Sequence, residues 1–265
     1  MYRFFVPGEQ IHGDFAEITG DDVNHIKNVL RMGRGDHVVI SCGQGTDYYC
    51  IIRDIQSESV VLGVEKEEPV RTELPVSITL FQALPKADKM EWIVQKAVEL
   101  GAAEIVPVRT RRCIVRLDEG KAAKKRQRWQ TIAGAAAKQS GRGIVPNVHE
   151  VMSFADALRY AGQMEHAVIP YELFDDMAAT KKTISDLCQG ASIGIFIGPE
   201  GGFERGEIEQ AMEMGVMPVS LGRRILRTET AGLAILSVLM FQIEGERGNE
   251  RDGSLFGSCG DNESV

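Results

Sequence analysis

Two glycine-punctuated loops in the last third of the chain, Gly198-Pro-Glu-Gly-Gly-Phe203 and Leu221-Gly-Arg-Arg-Ile-Leu-Arg-Thr-Glu-Thr-Ala-Gly232, each follow an apolar run and lead into a helix-like segment. In an open parallel α/β sheet the ligand crevice lies outside the carboxyl ends of the strands, so two such joints predict one shared pocket. The pattern from Val76 onward agrees. Strands expected at Val76–Leu84, Ile105–Val108, Ala167–Pro170, Ile193–Ile197 and Val216–Leu221 alternate with helices at Asp88–Leu100, Lys121–Ser140, Phe154–Ala161, Glu204–Met214 and Thr230–Ile243.

The first 70 residues read differently. Short strands at Tyr2–Val6, His37–Ser41, Asp47–Ile55 and Ser59–Val64 are broken by glycines, and Asp21–Arg31 carries Val23, Ile26, Val29 and Leu30 on one side of a short amphipathic helix. The expected division is a β-rich module over 1–70, a linker over 71–75 within the charged, proline-flanked stretch Glu65–Pro75, an α/β domain over 76–244, and a tail over 245–265. That tail has too few apolar residues to order itself. No run approaches the roughly 18 apolar residues of a membrane helix, and the N-terminus has no signal-peptide pattern, so the expectation is a cytoplasmic protein away from membranes. The five cysteines are scattered and no two histidines stand four apart, which predicts reduced thiols and no metal site.

Net charge is −8, yet Arg109 to Arg128 holds nine Lys/Arg against Asp118 and Glu119, a local balance of +7 that leaves −15 elsewhere. A compact basic patch on an acidic protein suits localised phosphate contact. A solvated helix face accounts for the charge equally well.

The first loop lacks the lysine of a P-loop and the spacing of a dinucleotide fingerprint, and Glu200, Glu204 and Glu207 stand where a phosphate would sit. An adenosine ligand without phosphate and with a positive centre, such as S-adenosylmethionine, suits it better; an ordinary glycine-rich turn is the plainer reading. In the second loop Arg227 is a fixed donor, since guanidinium keeps its proton; its plain role is an ion pair with Glu229 or Glu200. The apolar helix after it, Ala231–Ile243, is either a core helix or one with a face against another subunit.

Together these loops resemble the signature of the SPOUT-class RNA methyltransferases, specifically the RsmE family. His25-Ile-Lys-Asn-Val-Leu-Arg31 with Gly35-Asp36 is similar to that family's N-terminal PUA-like RNA-binding barrel, and Lys86–Gly101, Arg128–Ala133 and Gln139–Arg142 resemble further blocks. The likeness covers all but the tail. It implies an α/β SPOUT fold with a C-terminal trefoil knot, a small PUA-like β-barrel, a homodimer formed through the knotted domain, and S-adenosylmethionine as cofactor. The implied reaction is methylation of N3 of a uridine in 16S rRNA, with the RNA or the assembled 30S subunit as partner. Ribose 2′-O methylation and a non-catalytic RNA-binding protein of the same fold are the alternatives.

Carried over residue by residue, the cofactor set is Ile197, Gly198, Pro199, Glu200, Gly201, Leu221, Gly222, Ile225, Leu226 and Arg227, with Leu173 a weaker member. Catalytic candidates are Arg227, then Arg142, as cations beside a developing oxyanion, with Glu229 as proton acceptor or as a brace for Arg227. RNA contacts fall on His25, Lys27 and Arg31 and on Arg109, Arg111, Arg112, Arg116, Lys124, Lys125 and Arg128, while Trp129 reads as core. The chain departs from the family pattern at Arg111, Cys113, Lys138 and Glu204, which puts local ion pairs in doubt and adds positive charge for RNA.

Overall fold

The computed structural model describes residues 1–252, and its first sheet is built from β1 (Tyr2–Phe5), β2 (Ile11–His12), β3 (Phe15–Thr19), β4 (His37–Ser41), β5 (Thr46–Ile55) and β6 (Ser59–Pro69). Their order is β1-β4-β5-β6-β3-β2. Alternate apolar residues of β1, β3, β4, β5 and β6 meet in one core that includes Phe4, Ile18, Ile40, Ile52 and Leu62, the period-2 burial that sets strand register. β2 and β3 are not marked in the sequence, and the charged stretch 65–69 continues β6 against β5, five residues past the strand end expected at Val64. Pro69 ends that strand, where its missing N–H costs no ladder bond.

The helix expected over Asp21–Arg31 is α1 (Asp21–Asn24) followed by a π turn at His25–Val29. The wider turn rotates the apolar stripe, so Val23 and Ile26 are buried while Val29 is 64% exposed. Arg31 closes it in the left-handed region, φ 53°, with Met32 N–H bonded to the Ile26 carbonyl at 3.0 Å. This is the position glycine usually takes at a helix end.

The second sheet is wholly parallel, in the order β10-β8-β7-β12-β11-β13, with β9 also on β8. Its strands are β7 (Ser77–Ala83), β8 (Glu104–Arg109), β9 (Asn147–Val148), β10 (Met152–Ser153), β11 (His166–Pro170), β12 (Ser192–Ile197) and β13 (Met217–Val219). β7 and β12 are almost wholly buried, as central strands covered on both faces require. The crossing helices are α2 (Lys89–Glu99), α3 (Glu119–Ser140), α4 (Phe154–Ala161), α5 (Met177–Gln189), α6 (Arg205–Glu213) and α7 (Thr228–Asp252). Asp118, Ser153 and Asp176 cap α3, α4 and α5 by accepting from backbone N–H groups. α5 is a helix beyond those expected from the sequence, although Thr180, Ile184, Leu187 and Cys188 follow the spacing of one helical face and are buried.

α7 packs on α2, α5 and β12 through Ile235, Leu236, Leu239 and Ile243, each 1% exposed or less. Burial of such side chains contributes about 1.5–3 kcal/mol apiece. The opposite side leaves Val238 50% and Phe241 79% exposed, so this helix is not buried all round. It also runs into the expected tail, to Asp252, because each added residue of a formed helix gains a hydrogen bond at little nucleation cost. The remainder of the tail, 253–265, lies outside the described residues, as does Cys259.

Arg142 ties the two sheets' neighbourhoods together. Its side chain is 4% exposed and donates to both carboxylate oxygens of Glu73 and to the carbonyls of Val98 and Ala102. Ser41 Oγ donates to the Gly143 carbonyl at 2.9 Å, and Lys138 Nζ reaches Asp22 at 2.7 Å while lying over the Phe4 ring. Lys138 is therefore committed to holding the N-terminal sheet on α3 rather than free for RNA. A β-carbon on Gly143 would stand 2.4 Å from Val70, so only glycine admits this close approach.

Candidate active site

Three adjacent strands, β12, β11 and β13, end on the same side of the sheet, and the loops leaving them enclose a cleft of about 900 Å³. That size suits a ligand of coenzyme dimensions. The first loop, after β12, turns back on itself: Phe203 folds against Gly198, where an added β-carbon would stand 3.2 Å from the ring, and Gly202 takes φ 66°. The third loop, after β13, opens with Gly222 at φ 99° and presents Arg223, Arg224, Ile225, Leu226 and Arg227 to the cleft.

The structure brings together Ile197, Gly198, Pro199, Glu200, Leu221, Gly222, Ile225, Leu226 and Arg227 as lining residues. Two expected members stand outside the lining. Gly201 faces away and its carbonyl accepts from Arg112 Nη1 at 2.8 Å; Leu173 is 75% exposed, between Glu172 and Phe174, which do line the cleft. Of the loop after β11 the sequence pointed only to Leu173. This loop contributes Tyr171, Glu172, Phe174, Asp175 and Met177, and its signal was the strand-end rule already applied to the other two loops.

Loop positions are locked from below. Buried Thr228, the first residue of α7, donates its hydroxyl to the Gly198 carbonyl at 2.6 Å and accepts from Gln82 Nε2 of β7 at 2.9 Å. Ser220 N–H donates to Thr180 Oγ1 of α5 at 3.0 Å. Hydroxyl and amide side chains thus fasten the first and third loops to the sheet and to one another.

Lys89, at the start of α2, is a site residue the sequence reading also missed. Its ammonium lies 3.2 Å from Glu200 and 3.0 Å from Glu229, so one cation joins the first loop to the head of α7. Partial burial pushes the Glu200 carboxyl up, but its own backbone N–H, the Lys86 N–H and Lys89 outweigh this and hold its pKa below the ordinary value. Glu229 behaves likewise: burial raises it, and its own N–H, Lys89 and the charge of Arg227 lower it further. Hydrogen bonding to Glu229 raises Lys89 above its usual value. Arg227 itself makes no ion pair within 4 Å among the described residues, so the expected pairing with Glu229 or Glu200 is replaced by Lys89.

The signs define a pH window. Both glutamates stabilise the folded loops above their ordinary value of 4.5, and this is lost as pH falls through their lowered values. The lysine's contribution is present below 10.5 and lost as pH rises through its raised value. Lys89→Met is expected to weaken binding of S-adenosylmethionine about tenfold, because the first loop and the head of α7 lose the cation that joins them. It should also shrink the acid limb of binding without abolishing it, since backbone N–H groups still lower both glutamates; calorimetry across pH measures both effects.

Arg142 does not reach the cleft: its donors are consumed by Glu73 and two carbonyls, which removes it as a cation for the chemistry. Of the basic residues, Arg109, Arg111, Arg112, Arg116, Lys124 and Arg128 are exposed, as are Lys27 in the π turn and Arg31 just after it. Arg128 pairs with Glu91, and half-buried Lys125 lies over the ring of Trp129, which is 2% exposed and belongs to the core. His25 is half-buried beside Phe4. Two departures from the family pattern compensate each other, as Arg111 Nη1 lies 3.3 Å from Glu204. Cys113 is buried with its sulfur 3.2 Å from Thr110 Oγ1.

Known proteins agree with this geometry. An RNA methyltransferase domain family matches residues 72–240, and an RNA methyltransferase PUA domain family matches residues 18–65. Ribosomal RNA small subunit methyltransferase E of Bacillus subtilis (strain 168) is 39% identical over 256 residues, 94% of this chain and 100% of that protein. The crystal structure of the Neisseria gonorrhoeae ribosomal RNA small subunit methyltransferase E bound to S-adenosyl methionine matches with TM-score 0.80 at 31% identity, over 91% of this chain and 98% of that one. A putative methyltransferase of Legionella pneumophila in complex with the bound cofactor SAM gives TM-score 0.80 at 33% identity, over 91% and 97%. With both of its domains matched in order, this chain belongs to the ribosomal RNA small subunit methyltransferase E family.

Proposed function

We propose that the protein transfers the methyl group of S-adenosylmethionine to N3 of a uridine in 16S rRNA, in the cytoplasm, with the assembled 30S subunit as its substrate. The observation that carries this reading is the cleft itself, whose glycine turns and mixed charges suit a zwitterionic, phosphate-free ligand. Glu172, Asp175 and Glu200 line it together with Lys89, Arg223, Arg224 and Arg227. A polyphosphate would meet three carboxylates, whereas an amino acid carrying a sulfonium has charges for both sets.

S-adenosylmethionine supplies an electrophilic methyl group on a positively charged sulfur. Loss of the uridine N3 proton would leave an anion spread over O2 and O4, and methylation would form the N3–CH3 bond as the S–CH3 bond breaks, with S-adenosylhomocysteine leaving as the neutral thioether. Arg227, exposed at the cleft and permanently charged, stands as the fixed cation for the developing oxyanion. Glu200 and Glu229 are held as carboxylates by Lys89, and a carboxylate of lowered pKa is a poor base for this proton. The proton leaves to solvent, and the two glutamates act by fixing the loop and helix that carry Gly198 and Arg227.

The chain route supports a trefoil knot. From β13 at the sheet edge the chain returns to place α7 against α2, α5 and β12, beneath strands it has already passed. Such a return of the chain is what a knotted C-terminus requires, although knots are rare among folds. The single core under the first sheet supports a PUA-like barrel, whose Lys27 and Arg31 grip RNA together with the basic segment after β8. The exposed Val238 and Phe241 support a homodimer through α7. Phe241→Asp combined with Val238→Asp is expected to shift the mass measured by light scattering from two chains to one. An unchanged mass would count against that interface.

The test of the activity is transfer of labelled methyl from S-adenosylmethionine to 30S subunits lacking the modification. Label in 16S rRNA is the expected result; saturable cofactor binding with no label in RNA would overturn the enzymatic reading.

A further inference from the structure

A second cleft, of about 470 Å³, is lined by the segment after β8, the start of α4 and one face of α6. Its rim is Arg109, Arg111 and Arg116, and its floor is Cys113, Val115 and Phe154. The two cavities share a wall: the Phe154 ring lies 5.5 Å from that of Phe203, which lines the first cleft. Arg112 Nη1 donates to the Gly201 carbonyl at 2.8 Å, and Arg111 N–H donates to Glu207 Oε1 at 2.8 Å, so the basic segment is fastened to the loop and to α6.

Two of the three charges on this rim are uncommitted. Arg109 and Arg116 are exposed and have no carboxylate within 4 Å among the described residues, and only Arg111 is paired, with Glu204. Buried Glu207 at the cleft is turned inward, its oxygens accepting from the N–H groups of Arg111 and Glu204. An apolar floor under unpaired guanidinium groups has the chemistry of a nucleotide site, with the base against the floor and phosphodiester oxygens on the arginines.

Resting on the methyltransferase reading, we propose that this second cleft holds a nucleotide of the substrate RNA next to the methylated uridine, with Arg109 and Arg116 on its phosphates. Seating that nucleotide against Phe154, whose ring packs on Phe203, sets the register of the RNA strand relative to the first cleft. Of the nine basic residues between Arg109 and Arg128, those at the cleft rim then contribute more to substrate affinity than their charge alone.

The experiment uses the full chain with 30S subunits lacking the modification, and compares three double or single variants. Arg109→Gln with Arg116→Gln is expected to raise KM for the subunit at least tenfold and to lower the slope of log affinity against log salt by about 1.5–2, as removal of two phosphate-binding cations requires. Ala155→Trp, at an exposed position of the same cleft, is expected to raise KM through occlusion without changing charge. Lys181→Gln with Lys182→Gln, equal in charge to the first variant but on α5, is expected to keep the wild-type slope. Cofactor affinity should be unchanged in all three. Wild-type KM and slope in both cleft variants, or an equal loss in the α5 variant, would overturn the cleft assignment. Absence of methyl transfer by the wild-type protein would instead count against the proposed activity.

Discussion

Replacing Arg227 with alanine is expected to lower methyl transfer by about 10²–10³-fold, the range seen when one preorganised donor to a developing oxyanion is removed. Arg227 faces the cleft from the third loop, one residue before the buried Thr228 whose hydroxyl holds the Gly198 carbonyl. Its backbone position is thus set by the same bond that sets the first loop. No carboxylate pairs with it among the described residues, because Lys89 occupies both Glu200 and Glu229, so its charge is available to a substrate. Removing a side chain that is exposed and unpaired should leave stability within about 0.5 kcal/mol. The expected signature is a fall in kcat in single-turnover transfer with cofactor affinity little changed. A normal kcat with weakened cofactor or RNA binding would show that the residue binds rather than stabilises the transition state.

Glu73→Ala is expected to have the largest effect on stability, about 3–5 kcal/mol, because it strands a buried guanidinium. Glu73 accepts from Arg142 Nε and Nη2 and from the backbone N–H groups of Gly143 and Ile144. All of these donors lie where the segment entering the α/β domain meets the end of α3. For a chain of this size the loss corresponds to a fall of roughly 10 °C in the thermal midpoint. Glu73→Ala combined with Arg142→Met should recover much of it, since an apolar side chain of similar volume leaves no charge to solvate. Thermal and urea unfolding of the two variants decide the matter. A shift below about 1 kcal/mol in the single variant would mean that water reaches Arg142 and replaces the carboxylate.

How far the site could be read from the chain varies with the physical origin of each feature. The loops after β12 and β13 were legible because glycine and apolar runs are local signals. The loop after β11 carries no glycine, and its role appears only when β13 is seen to pair outside β11 rather than beside β12. Lys89 and Arg142 show the limit most clearly. Both lie in recognisable blocks, but which carboxylate each meets depends on partners distant in sequence, Lys89 with Glu229 and Arg142 with Glu73. Charge bias alone pointed to Lys138 as an RNA contact, and its pairing with Asp22 across the two domains reverses that reading. The π turn at His25–Val29 changed the face of a short helix by one residue, a shift that apolar spacing cannot resolve.

The chemistry is tested most directly by mass spectrometry of nucleosides released from 16S rRNA after unmodified 30S subunits are incubated with the protein and isotope-labelled S-adenosylmethionine. The expected product is labelled 3-methyluridine, formed by wild-type protein and lost with Arg227→Ala. Label on the ribose, as 2′-O-methyluridine, or on any nucleoside other than uridine, would contradict an oxyanion of the base stabilised by Arg227.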